Sequence, residues 1–172
     1  MSIIGDNKNK VILRGDCGYY YYQIQVDCAP LRLNGNITIE NLTIESYSSK
    51  YTEVATANGW DLTSPHCRAY CIHIDGSPAP GDEILVKNCK LINDHFTTIG
   101  FGLKQDCTLR IENCELITTT TDDTLSGFSD YGTLYGHLAA NKVATGQRLE
   151  VLYNRIVNKG YAQAINLMDG SA

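Results

Sequence analysis

The sequence predicts an all-β fold: a single-stranded right-handed parallel β-helix of about four to five coils, with three short strands in each. Three observations carry this expectation. A unit of the form apolar-x-apolar-x-Asn-x-x-apolar recurs along the chain. A second set of short alternating strands falls between the copies. The copies start 47, 25 and 40 residues apart, as expected of solenoid coils that carry loops of unequal length.

The units occupy residues 37–44, 84–91, 109–116 and 149–156. Each reads as a short strand, a one-residue bend and a second short strand. The first two apolar residues share a face, because side chains in a strand alternate with a period of two. The bend falls on Asn41, Asn88 and Asn113, with Tyr153 in the fourth copy. Asparagine tolerates the left-handed backbone that such a bend requires. Stacking at about 4.8 Å would align these asparagines in one ladder, and Leu42, Cys89 and Cys114 in another that points inward. The second set comprises residues 70–75, 98–103, 134–139 and 164–167, with residues 21–26 as an earlier member. A β-sandwich also yields short regular strands, but it does not require the same Asn bend in repeated units.

The 172 residues suit one domain, 1–172, either complete or a piece of a longer chain. A charged fraction of 19% and a hydrophobic fraction of 43% exclude wholesale disorder. The longest apolar runs fall well short of a membrane span, and Met1–Lys10 lacks the basic and apolar regions of a signal peptide. The sequence therefore predicts no membrane span and synthesis in the cytoplasm, and it leaves the final location open. A net charge of −5 argues against nucleic acid as a partner. The seven cysteines include no CxxC pair. His66, Cys67, Cys71 and His73 invite a zinc reading, but no second ligand pair lies nearby in sequence, and neither metal nor cofactor is expected. Most of the cysteines read as small buried hydrophobes.

Two long loops, 47–68 and 118–133, flank a short turn at 93–96. Long excursions from a regular scaffold tend to carry function. The first loop holds Tyr51 and Trp60, the second holds Asp122, Asp123 and Tyr131, and His95 sits in the short turn. Aromatic faces beside carboxylates and hydroxyls suit a sugar, whose rings have apolar faces and polar rims. Alternation along the second strand set turns His73, Asp75, Gly100, Gly102, His137 and Asn166 outward. This pattern predicts a groove with a glycine floor and a histidine on each side. The carbohydrate-binding candidates are thus Trp60, Tyr51, His95, Asp122, Asp123, Tyr131, Gly100, Gly102 and Asn166. If the groove is catalytic, the candidates are His73, Asp75 and His137, since a His beside an Asp can serve as a general base near neutral pH.

Over about residues 10–170 the repeated Asn-bend units resemble the pectin-lyase-like parallel β-helices. The stretches 69–75, 99–105, 108–114 and 135–137 look like β-helix segments in tail and tail-fibre proteins of phages and prophages. The resemblance implies a host-surface or polysaccharide-binding module, a glycan partner, and a homotrimer or larger assembly. It also admits a polysaccharide lyase, glycoside hydrolase or esterase. Asp122-Asp123 and Gly136-His137 are superficially similar to polygalacturonase motifs, but no Asn-Thr-Asp and no Arg-Ile-Lys accompany them. Arg68, Arg110, Arg148 and Arg155 lack the acidic partners of a calcium-dependent lyase. Catalytic residues therefore do not carry over. The last strand is followed by no amphipathic cap, which predicts that a partner subunit or further chain covers that end.

Overall fold

The computed structural model describes residues 1–16, 26–47, 57, 67–74, 78–94, 97–119, 132–140, 143, 145–159 and 163–169. The first coil holds β1 (Ser2–Ile4), β2 (Ile12–Asp16), β3 (Val26–Cys28) and β4 (Leu31–Leu33). The second holds β5 (Ile37–Glu40), β6 (Thr43–Tyr47) and β7 (Cys67–Ile74). The third holds β8 (Glu83–Lys87), β9 (Lys90–Asn93) and β10 (Thr97–Gly102). The fourth holds β11 (Thr108–Glu112), β12 (Glu115–Thr118) and β13 (Leu134–Leu138). The fifth holds β14 (Arg148–Leu152), β15 (Arg155–Asn158) and β16 (Ile165–Asp169).

Every coil adds one strand to each of three parallel sheets. Their orders are β1-β5-β8-β11-β14, β2-β6-β9-β12-β15 and β3-β7-β10-β13-β16, with β4 also paired to β7. The fold is the right-handed parallel β-helix that the repeat predicts. In-register stacking builds the core. Ile39, Val86 and Ile111 are Cα partners in one inner row. Ile44, Leu91 and Leu116 form another, and Ile72, Ile99 and Leu134 a third. All nine are fully buried. Burial of each such side chain stabilises the fold by about 1.5–3 kcal/mol. Gly136 interrupts an inner row because the Phe101 ring occupies the space where its Cβ would stand.

The bends are left-handed, with φ of 61° at Asn41, 49° at Asn88, 57° at Asn113 and 58° at Tyr153. The backbone N–H of Asn88 donates to Glu112 O and that of Asn113 to Leu152 O, both at 2.9 Å. Each bend is thereby tied to the next coil. One rung of the expected side-chain ladder is hydrogen-bonded, with Asn88 Nδ2 donating to Asn41 Oδ1 at 2.6 Å. At Tyr153 the neighbouring Asn154 supplies the polar contacts. Its Oδ1 accepts from the Cys114 N–H at 2.7 Å, and its Nδ2 donates to Ile111 O at 2.8 Å.

The first coil is less regular than the others, and its repeat is not legible in the sequence. Gly5 takes the bend position, where its N–H donates to Glu40 O at 2.9 Å. Residues 6–10 are then inserted before Val11, whose carbonyl accepts from Thr43 N as that of Leu42 accepts from Lys90 N. The third side of this coil comes from β3 and β4, which pair with Cys67–Ala69 and Ile72–Ile74. Of the early strand expected at 21–26, only Val26 lies among the described residues. Both long loops fall largely outside them, at 48–66 and 120–131.

A second, polar ladder closes the next corner. Ser46, Asn93, Thr118 and Asn158 are in register along the second sheet. The first three are buried. Asn93 Nδ2 donates to Thr97 O at 2.9 Å, and Asn158 Nδ2 donates to Thr133 Oγ1 at 3.1 Å. These bonds satisfy backbone and hydroxyl groups that would otherwise be buried unpaired. On the last strand Ile165 and Leu167 remain 43% and 46% exposed. Among the described residues no helix is long and apolar enough to cross a membrane.

The bend can be tested directly. Asn88→Ala should cost about 2–3 kcal/mol in urea unfolding, combining the left-handed penalty with the lost amide bond. Asn88→Gly should cost about 1 kcal/mol less, because glycine keeps the backbone angle.

Candidate functional site

The three outer faces differ in chemistry. On the first sheet, Glu40, Lys87 and Glu112 follow one another in register, and Arg110 lies beside Glu150. Arg110 Nε sits 3.1 Å from Glu112 Oε2 and 3.5 Å from Glu150 Oε2, at angles too poor for a hydrogen bond. This face is largely self-neutralised. On the second sheet, Arg14 donates through Nε to Glu45 Oε2 at 2.7 Å, and Glu45 is only 8% exposed. The Arg14 guanidinium also lies 5.3 Å from the centre of the Tyr47 ring. Burial, followed by the Glu45 carboxylate, pushes the Tyr47 phenol above its ordinary range.

The third sheet carries aromatic, imidazole and amide groups. Its outer row runs Arg32, His73, Gly100, Tyr135, Asn166. The adjacent outer row runs Gly102, His137, Met168. Strand spacing places the His73 and Tyr135 backbones about 10 Å apart. The residue directly across Gly100 from His73 is therefore Tyr135. His137 stands two residues further along, opposite Gly102. The two histidines share a face but not a row, because β7, β10 and β13 stack without the offset that would align them.

Gly100 has a definite function in this packing. The Tyr70 ring occupies the space where a Cβ of Gly100 would stand. The same ring stacks on His73, with centroids 4.6 Å apart and planes 10° from parallel. Tyr70 is 3% exposed, so the expected glycine floor is a buried phenol ring that braces the imidazole from beneath. Arg32 Nη2 lies 3.1 Å from His73 Nδ1. A guanidinium only donates, so Nδ1 accepts and the ring proton sits on Nε2. One coil beyond the glycines, the Tyr135 hydroxyl lies 3.1 Å from His137 Nε2 and donates to Met168 Sδ at 3.4 Å.

Among the residues singled out in sequence, the structure brings His73, Gly100, Gly102, His137 and Asn166 onto this face. Asp75, Tyr51, Trp60, His95, Asp122, Asp123 and Tyr131 lie outside the described residues. Cys71 and His73 point to opposite sides of β7. Cys71 is fully buried and its Sγ donates to Ile92 O at 3.2 Å, so these two residues do not converge on one ion. Tyr135 was legible by the same alternation that marked the histidines, whereas Arg32 was not, since it lies on β4 of the irregular first coil. Tyr70 was not, since Tyr70, Cys71 and Ile72 are buried in succession and the period of two breaks there.

Compared with known proteins, the chain matches no family model, no curated protein and no solved structure. Its class is set by the fold, a right-handed parallel β-helix, and by one outer face of imidazole, phenol and amide groups.

Gly100→Ala should displace the Tyr70 ring and destabilise the chain by about 1–3 kcal/mol, as overpacking does. In a Tyr70→Ala background the same substitution should cost much less, and a double-mutant cycle from urea melts measures that coupling.

Proposed function

We propose that the third face binds an extended polar polymer, a polysaccharide of a cell surface, and that the chain is a glycan-binding β-helix module. The observation that carries this reading is the outer row of Arg32, His73, Gly100, Tyr135 and Asn166, in register along the third sheet. Arg32 and His73, and Tyr135 and Asn166, are each one strand spacing of about 4.8 Å apart, and the two pairs are separated by the side-chain-free position of Gly100. Phenol and imidazole rings offer apolar faces with polar tips, which suit a sugar ring. His73 and Tyr135 are held in place, one by the Tyr70 stack and Arg32, the other by His137 and Met168. Such preorganisation lowers the ordering cost of binding. The resemblance to phage-tail and other pectin-lyase-like β-helices supports the same reading and suggests a surface-anchored, oligomeric setting.

A glycan array and a cell-wall pull-down test it. Wild type should retain a defined glycan class, and His73→Ala or Tyr135→Ala should each weaken retention about tenfold, equivalent to about 1.4 kcal/mol. Glu112→Ala, on the first sheet, should not. Retention without a new reducing end or unsaturated product is the expected result. Release of such product would instead make the face an active site, and no retention of any glycan would leave the chain a structural spacer.

A further inference from the structure

We infer that Cys89 and Cys114 are a dithiol that closes to a disulfide, stapling the third coil to the fourth. Both follow a bend asparagine, and the strands on either side pair in register, Lys87 with Glu112 and Lys90 with Glu115. The cysteines are therefore stacked neighbours about 4.8 Å apart at the backbone, inside the range of about 4.4–6.8 Å that a disulfide spans. Both thiols point inward and are free, at 0% and 2% exposure. They are already in contact: the Cys89 N–H donates to Cys114 Sγ at 3.4 Å. Leu42 lies on one side of the pair and Asn154 on the other, so each has the other as its adjacent cysteine in the stack.

Each Sγ donates to a backbone carbonyl, that of Cys89 to Lys87 O and that of Cys114 to Glu112 O, both at 3.2 Å, and the proximity of the two thiols splits their acidities. It lowers Cys89 and raises Cys114, whose burial adds to the rise. Cys89 is thus the first thiolate to form. It attacks one sulfur of a small-molecule disulfide, and one small thiolate leaves. Cys114, deprotonated in turn, attacks the Cys89 sulfur and expels the second. Two protein S–H bonds are lost, one S–S bond forms and one breaks. The protein gives up two electrons and two protons, and the small disulfide becomes two thiols. Burial keeps the pair reduced until the corner between β8 and β9 opens, so closure follows local opening under an oxidising poise.

The test is incubation of the full chain with oxidised glutathione at pH 8, with urea just below the unfolding midpoint to expose the corner. Alkylation, digestion and mass mapping then follow. The expected product is a cross-linked pair of peptides carrying Cys89 and Cys114, about 2 Da lighter than their reduced sum. After the urea is removed, Tm should rise by about 5–10 °C, since the bond closes a loop of roughly 25 residues. Reductant should abolish the rise, and Cys114→Ser and Cys89→Ser should each lack it. The inference is overturned if both cysteines emerge alkylated, glutathionylated or linked only to other cysteines. It is equally overturned if the 89–114 bond forms but lowers Tm, which would mark a strained accident.

Discussion

The left-handed backbone at Asn41, Asn88 and Asn113 is the constraint on which the solenoid depends. A left-handed residue costs an L-amino acid roughly 1–2 kcal/mol, and asparagine offsets this with a local polar side chain. Here the offset is shared between coils. Each bend N–H reaches the carbonyl of the next coil, and the Asn88 amide reaches back to Asn41. The bend also turns the following residue inward, which is why Leu42, Cys89 and Cys114 stack in the core. A slip of one residue at any bend would turn a whole strand inside out. The ladder therefore holds the register that every other contact uses.

Once the register is set, alternation determines what each outer face presents. The first sheet spends its outward positions on charges that meet one another. Such exposed pairs add about 0–1 kcal/mol each and leave little net charge to recruit a ligand. The third sheet places few formal charges outward among its described residues. It carries instead groups whose hydrogen bonds and ring faces are directional. Tyr70 and Gly100 show how closely scaffold and site are coupled. The glycine removes a side chain from one coil so that a phenol from the coil before can lie flat and hold an imidazole upright.

The fold was legible because its dominant signal is local and repeated. Apolar alternation and a bend asparagine lie within eight residues of each other, and stacking repeats them. The first coil was not legible, because Gly5 replaces asparagine and an insertion separates the bend from Val11. The polar ladder through Ser46, Asn93 and Thr118 also escaped notice, since Ser, Thr and Asn at strand ends read as ordinary turn residues. Of the candidate site, the outward histidines, the glycines and Asn166 could be placed by parity alone. Their pairing could not, because parity gives the face of a strand and says nothing of its shift along the sheet.

By itself, the sequence determined the class of fold, the inner rows and the side on which the site lies, since these follow from the period of a strand and the backbone preference of asparagine. Only the tertiary structure decided that Tyr135 rather than His137 faces His73, that Arg32 sets the tautomer of that histidine, and that Tyr70 fills the gap at Gly100. Those relations join residues 30 to 62 positions apart through the offset between coils. That offset is fixed by packing around the whole turn, and no short stretch of chain encodes it.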